Sequence, residues 1–197
     1  GMDTRISSEM LASALTAGLC SVGADVIDLG VVPTPAVAYL VGKYKAHAGV
    51  MISASHNPYE YNGIKFFNSE GFKLDDAIED EIEAIATGRK EIPEHCLSGA
   101  ELGRIVMTGK PAAALYEEFV RSTAGVRLDG MKIVIDCANG AASALAKNVF
   151  SGLGADVTVI CSDPDGININ DGCGSTHPEK LCERVRQEKA DLGLAFD

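Results

Sequence analysis

Ser55, His56 and Lys65 are the residues whose types and spacing could do chemistry in this chain. They lie in Gly49–Leu74, which reads GVMISASHNPYEYNGIKFFNSEGFKL. An apolar run, Ala48–Ser53, leads into Ser53-Ala54-Ser55-His56-Asn57-Pro58. The hydroxyls therefore emerge at the end of a buried strand, where open α/β sheets bind their ligands. Pro58 confines Asn57 to extended geometry and helps fix the turn. Asn62-Gly63, a pair suited to positive backbone angles, then starts a return strand that carries Lys65. A held serine, a histidine and a returning lysine suit nucleophilic or phosphoryl-transfer chemistry. By spacing alone the same segment also reads as a hydrogen-bonded turn in which His56 only satisfies backbone groups. Both readings stay open at this point. A G-x-S-x-G elbow is absent, as is G-x-x-x-x-G-K-[ST], which counts against a hydrolase and a P-loop nucleotide site.

The elements that must position these residues are legible from periodicity. The pattern predicts a helix from Ser8, as its cap, to about Val22, and a short strand over Ala24–Gly30. A helix follows, opened by Pro33 and Pro35, with Val37, Leu40 and Val41 on its apolar side. Strands are expected over Ala48–Ser53 and Ile64–Phe67. A helix over Asp75–Ala86 begins with acidic residues, matching the helix dipole, and its run Asp75–Glu83 reads as a solvated face. Residues 88–110 carry no clear period and close a first unit, 1–110. The second unit, 111–197, opens with helical character over Pro111–Ser122. It then alternates: strand Lys132–Asp136, helix Ala141–Phe150, strand Ala155–Ile160, helix Pro178–Glu188, strand Asp191–Phe196. Alternation with Val- and Ile-rich strands argues for a mostly parallel sheet covered by helices. GADVIDL at 23–29 is echoed by GADVTVI at 154–160, each after a helix-ending glycine.

Composition narrows the functional classes. The 197 residues carry 17 Lys and Arg against 28 Asp and Glu, a formal net charge of -11. Nucleic acid and anionic membrane surfaces need concentrated positive charge, so neither is expected as a partner. One locally positive pocket for a phosphorylated small molecule remains compatible with that balance. Apolar runs are far shorter than the ~20 residues of a membrane span. No basic-then-apolar leader opens the chain, and a cytoplasmic location is expected. Six cysteines, at 20, 96, 137, 161, 173 and 182, form no C-x-x-C pair and read as reduced thiols. His47 and His95 stand in no recognisable context, and His177 shapes the turn before a helix.

The segment S-A-S-H-N-P followed by N-G-I-K-F-F closely resembles the phosphoserine loop of the α-D-phosphohexomutase family. D-T-R-I-S at 3–7, P-T-P-A-V-A-Y-L at 33–40, D-C-A-N-G-A at 136–141, P-D-G-I-N-I-N at 164–170, G-S-T-H-P at 174–178 and K-A-D-L-G-L-A-F-D at 189–197 are similar to the same family, in order. Ser53 and the D-C-A-N-G-A segment favour its glucosamine phosphate branch. The resemblance implies two consecutive three-layer α/β/α domains with mixed, mostly parallel sheets. It implies interconversion of glucosamine 6-phosphate and glucosamine 1-phosphate through a sugar 1,6-bisphosphate. A phosphoglucomutase or phosphomannomutase, or a non-catalytic phosphosugar-binding module, is the alternative.

Residue by residue, the resemblance implies a phosphoserine at Ser55, Lys65 assisting proton transfer or neutralising phosphate, and His56 supporting the loop. Arg5 and Asn57 are implied as phosphate or substrate contacts, and Ser55 and Asp197 as ligands of Mg2+. The family's opening G-T-D-G-x-R-G strand, the rest of its metal loop after Asp197 and two further domains are expected outside these residues. The chain alone is therefore expected to be inactive, and an exposed sheet edge to favour a homodimer.

Overall fold

The computed structural model describes residues 1–91 and 96–197, so His95 lies outside the described residues. Two apolar strands, one in each half, organise the chain. The first, β1 (Ala48–Ile52), pairs antiparallel with β2 (Ile64–Asn68), setting Met51 opposite Lys65 and Ile52 opposite Ile64. On the other side of β1, Met2 bridges in parallel to both Ile52 and Val31. Helix α1 (Ser8–Ser21) follows the first loop, and α2 (Thr34–Tyr44) starts on the expected prolines. Proline suits a first helical turn because its missing N–H has no partner to lose there. Ala36, Val37, Leu40 and Val41 of α2 pack with Met51 and Val32 in a buried cluster. Helix α3 (Asp76–Ala86) buries none of its residues, in keeping with its acidic, solvated composition.

The second half is built on β3 (Lys132–Asp136), buried from Ile133 onward. It is flanked in parallel by β4 (Asp156–Ile160) and β5 (Leu192–Ala195), in the order β4-β3-β5. A strand buried on both faces must be apolar throughout, which Ile133-Val134-Ile135 is. Between these strands run α5 (Ala146–Gly152), packed on β4, and α6 (Glu179–Glu188), packed on β3 and β5. Helix α4 (Ala112–Thr123) touches both halves, packing on α2 and α5. Ala112 joins the first core cluster, and Phe119 stacks on Tyr39 with centroids 3.8 Å apart.

Three local expectations are corrected. Ala24–Gly30 forms no strand; Val26 alone bridges to Ile105. Its echo at 154–160 supplies β4 because β3 offers a full-length partner, so backbone pairing rather than local sequence decides between the two. The helix expected over 141–150 is split. Ala141–Ala144 is a 3-10 turn, and Leu145 (φ -138, ψ -23) leaves helical geometry before α5 begins. Ser7, not Ser8, occupies the N-cap position of α1. Ser8 is buried and its hydroxyl donates to Asp3 Oδ1 at 3.0 Å.

Candidate active site

Where β1 ends, the chain turns sharply. Ser53 is buried, and its Oγ accepts the backbone N–H of Ser55 at 3.0 Å. Ser55 itself has φ +54, in the left-handed region. For a residue with a side chain that region costs about 1–2 kcal/mol. Such a conformation persists when its surroundings over-determine it. Here the surroundings are two side chains from distant parts of the sequence.

The first is Arg5, fully buried and paired to Asp3 at 2.9 Å. Its Nε donates to Asp3 Oδ2 at 2.9 Å. Nη1 donates to the carbonyls of Pro58 and, at 2.9 Å, Tyr61. Nη2 donates to the carbonyls of Ser55 at 2.7 Å and Asn57 at 2.9 Å. A guanidinium has five N–H donors in a fixed fork, and all five are engaged. The second is Asn170, whose Nδ2 donates to the same two carbonyls, Ser55 at 3.1 Å and Asn57 at 3.3 Å. The serine loop is therefore gripped from the first half by Arg5 and from the second by Asn170. Thr4 Oγ1 donating to the Asn139 carbonyl at 2.6 Å, and Ile6 N–H to the Gly166 carbonyl at 2.8 Å, tie the halves together beside it.

Held this way, Ser55 Oγ donates to Asp197 Oδ2 at 2.7 Å. Asp197 follows β5 and is placed by the turn across from it. Phe196 N–H donates to the Asp136 carbonyl at 2.9 Å, and Ser175 N–H to the Phe196 carbonyl at 2.8 Å. The Asp136 carboxylate in turn accepts the N–H groups of Ala138 at 2.9 Å and Gly174 at 3.0 Å. Gly174 (φ +77) has no room for a Cβ, which would stand 2.6 Å from Ala138 Cβ and 2.8 Å from the Phe196 carbonyl oxygen.

Ser55, Lys65 and Asp197 share a cavity of about 460 Å³ with Asp3 and Ser53. Met51, Leu145, Val149, Ile169 and Phe196 close its apolar side. Among the described residues no carboxylate lies within 4.0 Å of the Lys65 ammonium, leaving it available to an anion. Burial pushes the hydroxyl of Tyr116, on the same lining, above its ordinary value. His56 and Asn57 are exposed and outside the lining, and Asn57 Nδ2 is turned back onto the Ala54 carbonyl at 3.0 Å. Arg5 departs from the sequence expectation. Buried, with every donor engaged by Asp3 and loop carbonyls, it has none left for a phosphate and shapes the loop instead. Asp3 and Asn170 escaped the sequence reading as site residues. The motifs D-T-R-I-S and P-D-G-I-N-I-N held them, but their partners are a guanidinium and backbone carbonyls that no spacing reveals.

The Ser55 hydroxyl and the Asp197 carboxylate are hard oxygen donors of the kind Mg2+ takes, and would supply two of the roughly six such an ion prefers. Among the described residues no cluster of three histidine, cysteine or carboxylate donors includes Asp197.

Residues 1–92 match the family model for phosphoglucomutase/phosphomannomutase, alpha/beta/alpha domain I. All of the chain aligns with phosphoglucosamine mutases from Pelotomaculum thermopropionicum, 58% identical, and Clostridium novyi, 57% identical. The chain spans 44% and 43% of the length of those two relatives. Among solved structures it is similar to a phosphoglucomutase/phosphomannomutase family protein from Burkholderia thailandensis, with TM-score 0.75 and 29% identity, over 100% of this chain and 43% of that one. A putative phosphomannomutase from Thermus thermophilus matches with TM-score 0.68 and 27% identity over 95% of this chain and 41% of that one.

Proposed function

We propose that this chain, whose residues 1–92 match the phosphoglucomutase/phosphomannomutase domain I family model, is the phosphoryl-carrying part of a phosphosugar mutase acting on glucosamine phosphate. The observation that carries the reading is the Ser55 hydroxyl, presented at a strand end on a strained, doubly gripped loop and hydrogen-bonded to Asp197. The names of the relatives at 57–58% identity favour the glucosamine sugar over glucose or mannose.

Ser55 carries the phosphoryl group as a serine phosphate ester. A hydroxyl of the sugar monophosphate attacks that phosphorus, the bond to Ser55 Oγ breaks, and the hydroxyl's proton is handed through Asp197 to the departing serine oxygen. The bisphosphate so formed turns over and returns its other phosphoryl group to Ser55 Oγ, whose proton passes to the Asp197 carboxylate and on to the departing sugar oxygen. Proton acceptance by a carboxylate in hydrogen-bond reach is general base catalysis. Phosphoryl transfer otherwise asks mainly for positioning and charge neutralisation. Arg5 and Asn170 supply the first by fixing the loop backbone, and Lys65 contributes to the second from the same cavity. Ser55 and Asp197 would hold Mg2+, which when bound neutralises charge on the phosphoryl oxygens. His56 sits beside the serine on the exposed side of the loop and takes no proton in this scheme.

The 197-residue chain is proposed to accept a phosphoryl group without completing the interconversion, which needs positioning groups from the remaining length of its relatives. Incubation with glucosamine 1,6-bisphosphate and magnesium, followed by intact-mass and peptide analysis, tests this. One added phosphoryl group on Ser55, absent in Ser55→Ala, is the expected result. Modification at another residue, or none in a folded chain, overturns the assignment.

A further inference from the structure

We infer that Asp136, Cys161 and Cys173 form a second metal site, one for a soft divalent cation of the zinc class. One carboxylate oxygen and the two sulfurs lie within 4.8 Å of one another, and no other group of three such donors occurs among the described residues. Two thiolates and a carboxylate are a donor set that selects Zn2+ over Mg2+ or Ca2+. The mutase chemistry at Ser55 uses none of the three.

The arrangement is built rather than incidental. Asp136 ends the central strand β3 and is fully buried, as is Cys173. Its two carboxylate oxygens are oriented by the N–H groups of Ala138 and Gly174, and each oxygen retains a lone pair. Such outer hydrogen bonds fix a ligand's direction before an ion arrives. Cys161 follows β4 in left-handed backbone geometry, φ +48, which turns it toward the same point from the neighbouring strand. Cys161 is half-buried and lines a groove of about 270 Å³ with Lys180, Glu183 and Arg184, so one of the three donors is reached from solvent. Charge also closes: two thiolates and a carboxylate carry three negative charges, and a divalent ion with the nearby Lys180 ammonium balances them. A thiol binds such an ion only as its thiolate. Binding therefore replaces two S–H bonds by two metal–sulfur bonds and releases two protons to the buffer.

The test is titration of the folded chain with Cd2+, a spectroscopic stand-in for zinc, following the ultraviolet thiolate-to-metal charge-transfer absorption. Competition with Zn2+ and proton release in weak buffer complete it. The background is Cys96→Ser with Cys182→Ser, which removes the two exposed thiols. Expected are one ion per chain, two protons released, and a loss of affinity of about 100-fold in Cys161→Ser, a variant on the accessible side of the site. Cys20→Ser leaves binding unchanged. No charge-transfer band in the folded background chain overturns the site, as does a band of unchanged affinity in Cys161→Ser. Loss of two thiols to a disulfide on mild oxidation, with no metal uptake by the reduced chain, also overturns it and assigns the pair to redox chemistry.

Discussion

At the scale of single residues, Ser55 combines a reactive oxygen with an unfavourable backbone angle. If the left-handed turn is imposed by Arg5 and Asn170, relieving it raises stability. Ser55→Gly and Ser55→Ala both remove the hydroxyl, but only glycine tolerates φ +54 without steric cost. Chemical denaturation should find Ser55→Gly about 1 kcal/mol more stable than Ser55→Ala. Equal stabilities would show that the angle is not strained. Ser55 and Lys65 are legible in the sequence as candidates because one local segment holds both, and Asp197 only through the family resemblance. Arg5 was misread for a physical reason. Beyond Asp3, its partners are four carbonyls, which every residue carries, so nothing in the sequence distinguishes a guanidinium that grips backbone from one that faces phosphate.

At the scale of elements, most helices and strands follow their apolar periods, and the failures share a cause. Ala24–Gly30 has the composition of a strand and no full-length partner, while the same Gly-Ala-Asp-Val pattern succeeds beside β3. Helix 141–150 breaks at Leu145, where packing around the cavity outweighs an alanine-rich propensity. The turn at Gly174 shows how one small residue sets the place of a whole strand end. A methyl group there meets Ala138 and the Phe196 carbonyl at less than contact distance, in backbone geometry unfavourable to alanine. Gly174→Ala should therefore lower unfolding free energy by about 2–4 kcal/mol, through overpacking and a forced left-handed angle. An unchanged denaturation midpoint would mean that the loop moves aside at no cost and does not fix Asp197.

At the scale of the whole molecule, the two halves meet where the chemistry is, through Asn170, Thr4 and the stacked rings of α2 and α4. The sequence pattern predicts two units, 1–110 and 111–197. It did not show that α4 would pack on both, since helix α4 has apolar residues enough for either. Asn170→Ala removes two hydrogen bonds between halves, each worth about 1 kcal/mol or less on net. Amide hydrogen exchange should accelerate in 54–58 by up to about 10-fold and remain unchanged in β3, whose protection reports global unfolding. Equal acceleration in both would assign Asn170 to general stability instead of to the serine loop.

The double grip also sets a chronology. Asn170 is 115 residues downstream of Ser55. At a synthesis rate of ~5–20 residues per second, the nascent loop is held from one side alone for on the order of 10 seconds. During that interval the nucleophile has its neighbours but lacks its final shape. The final shape of the serine loop is thus acquired late on the ribosome, with the arrival of an asparagine from the other half.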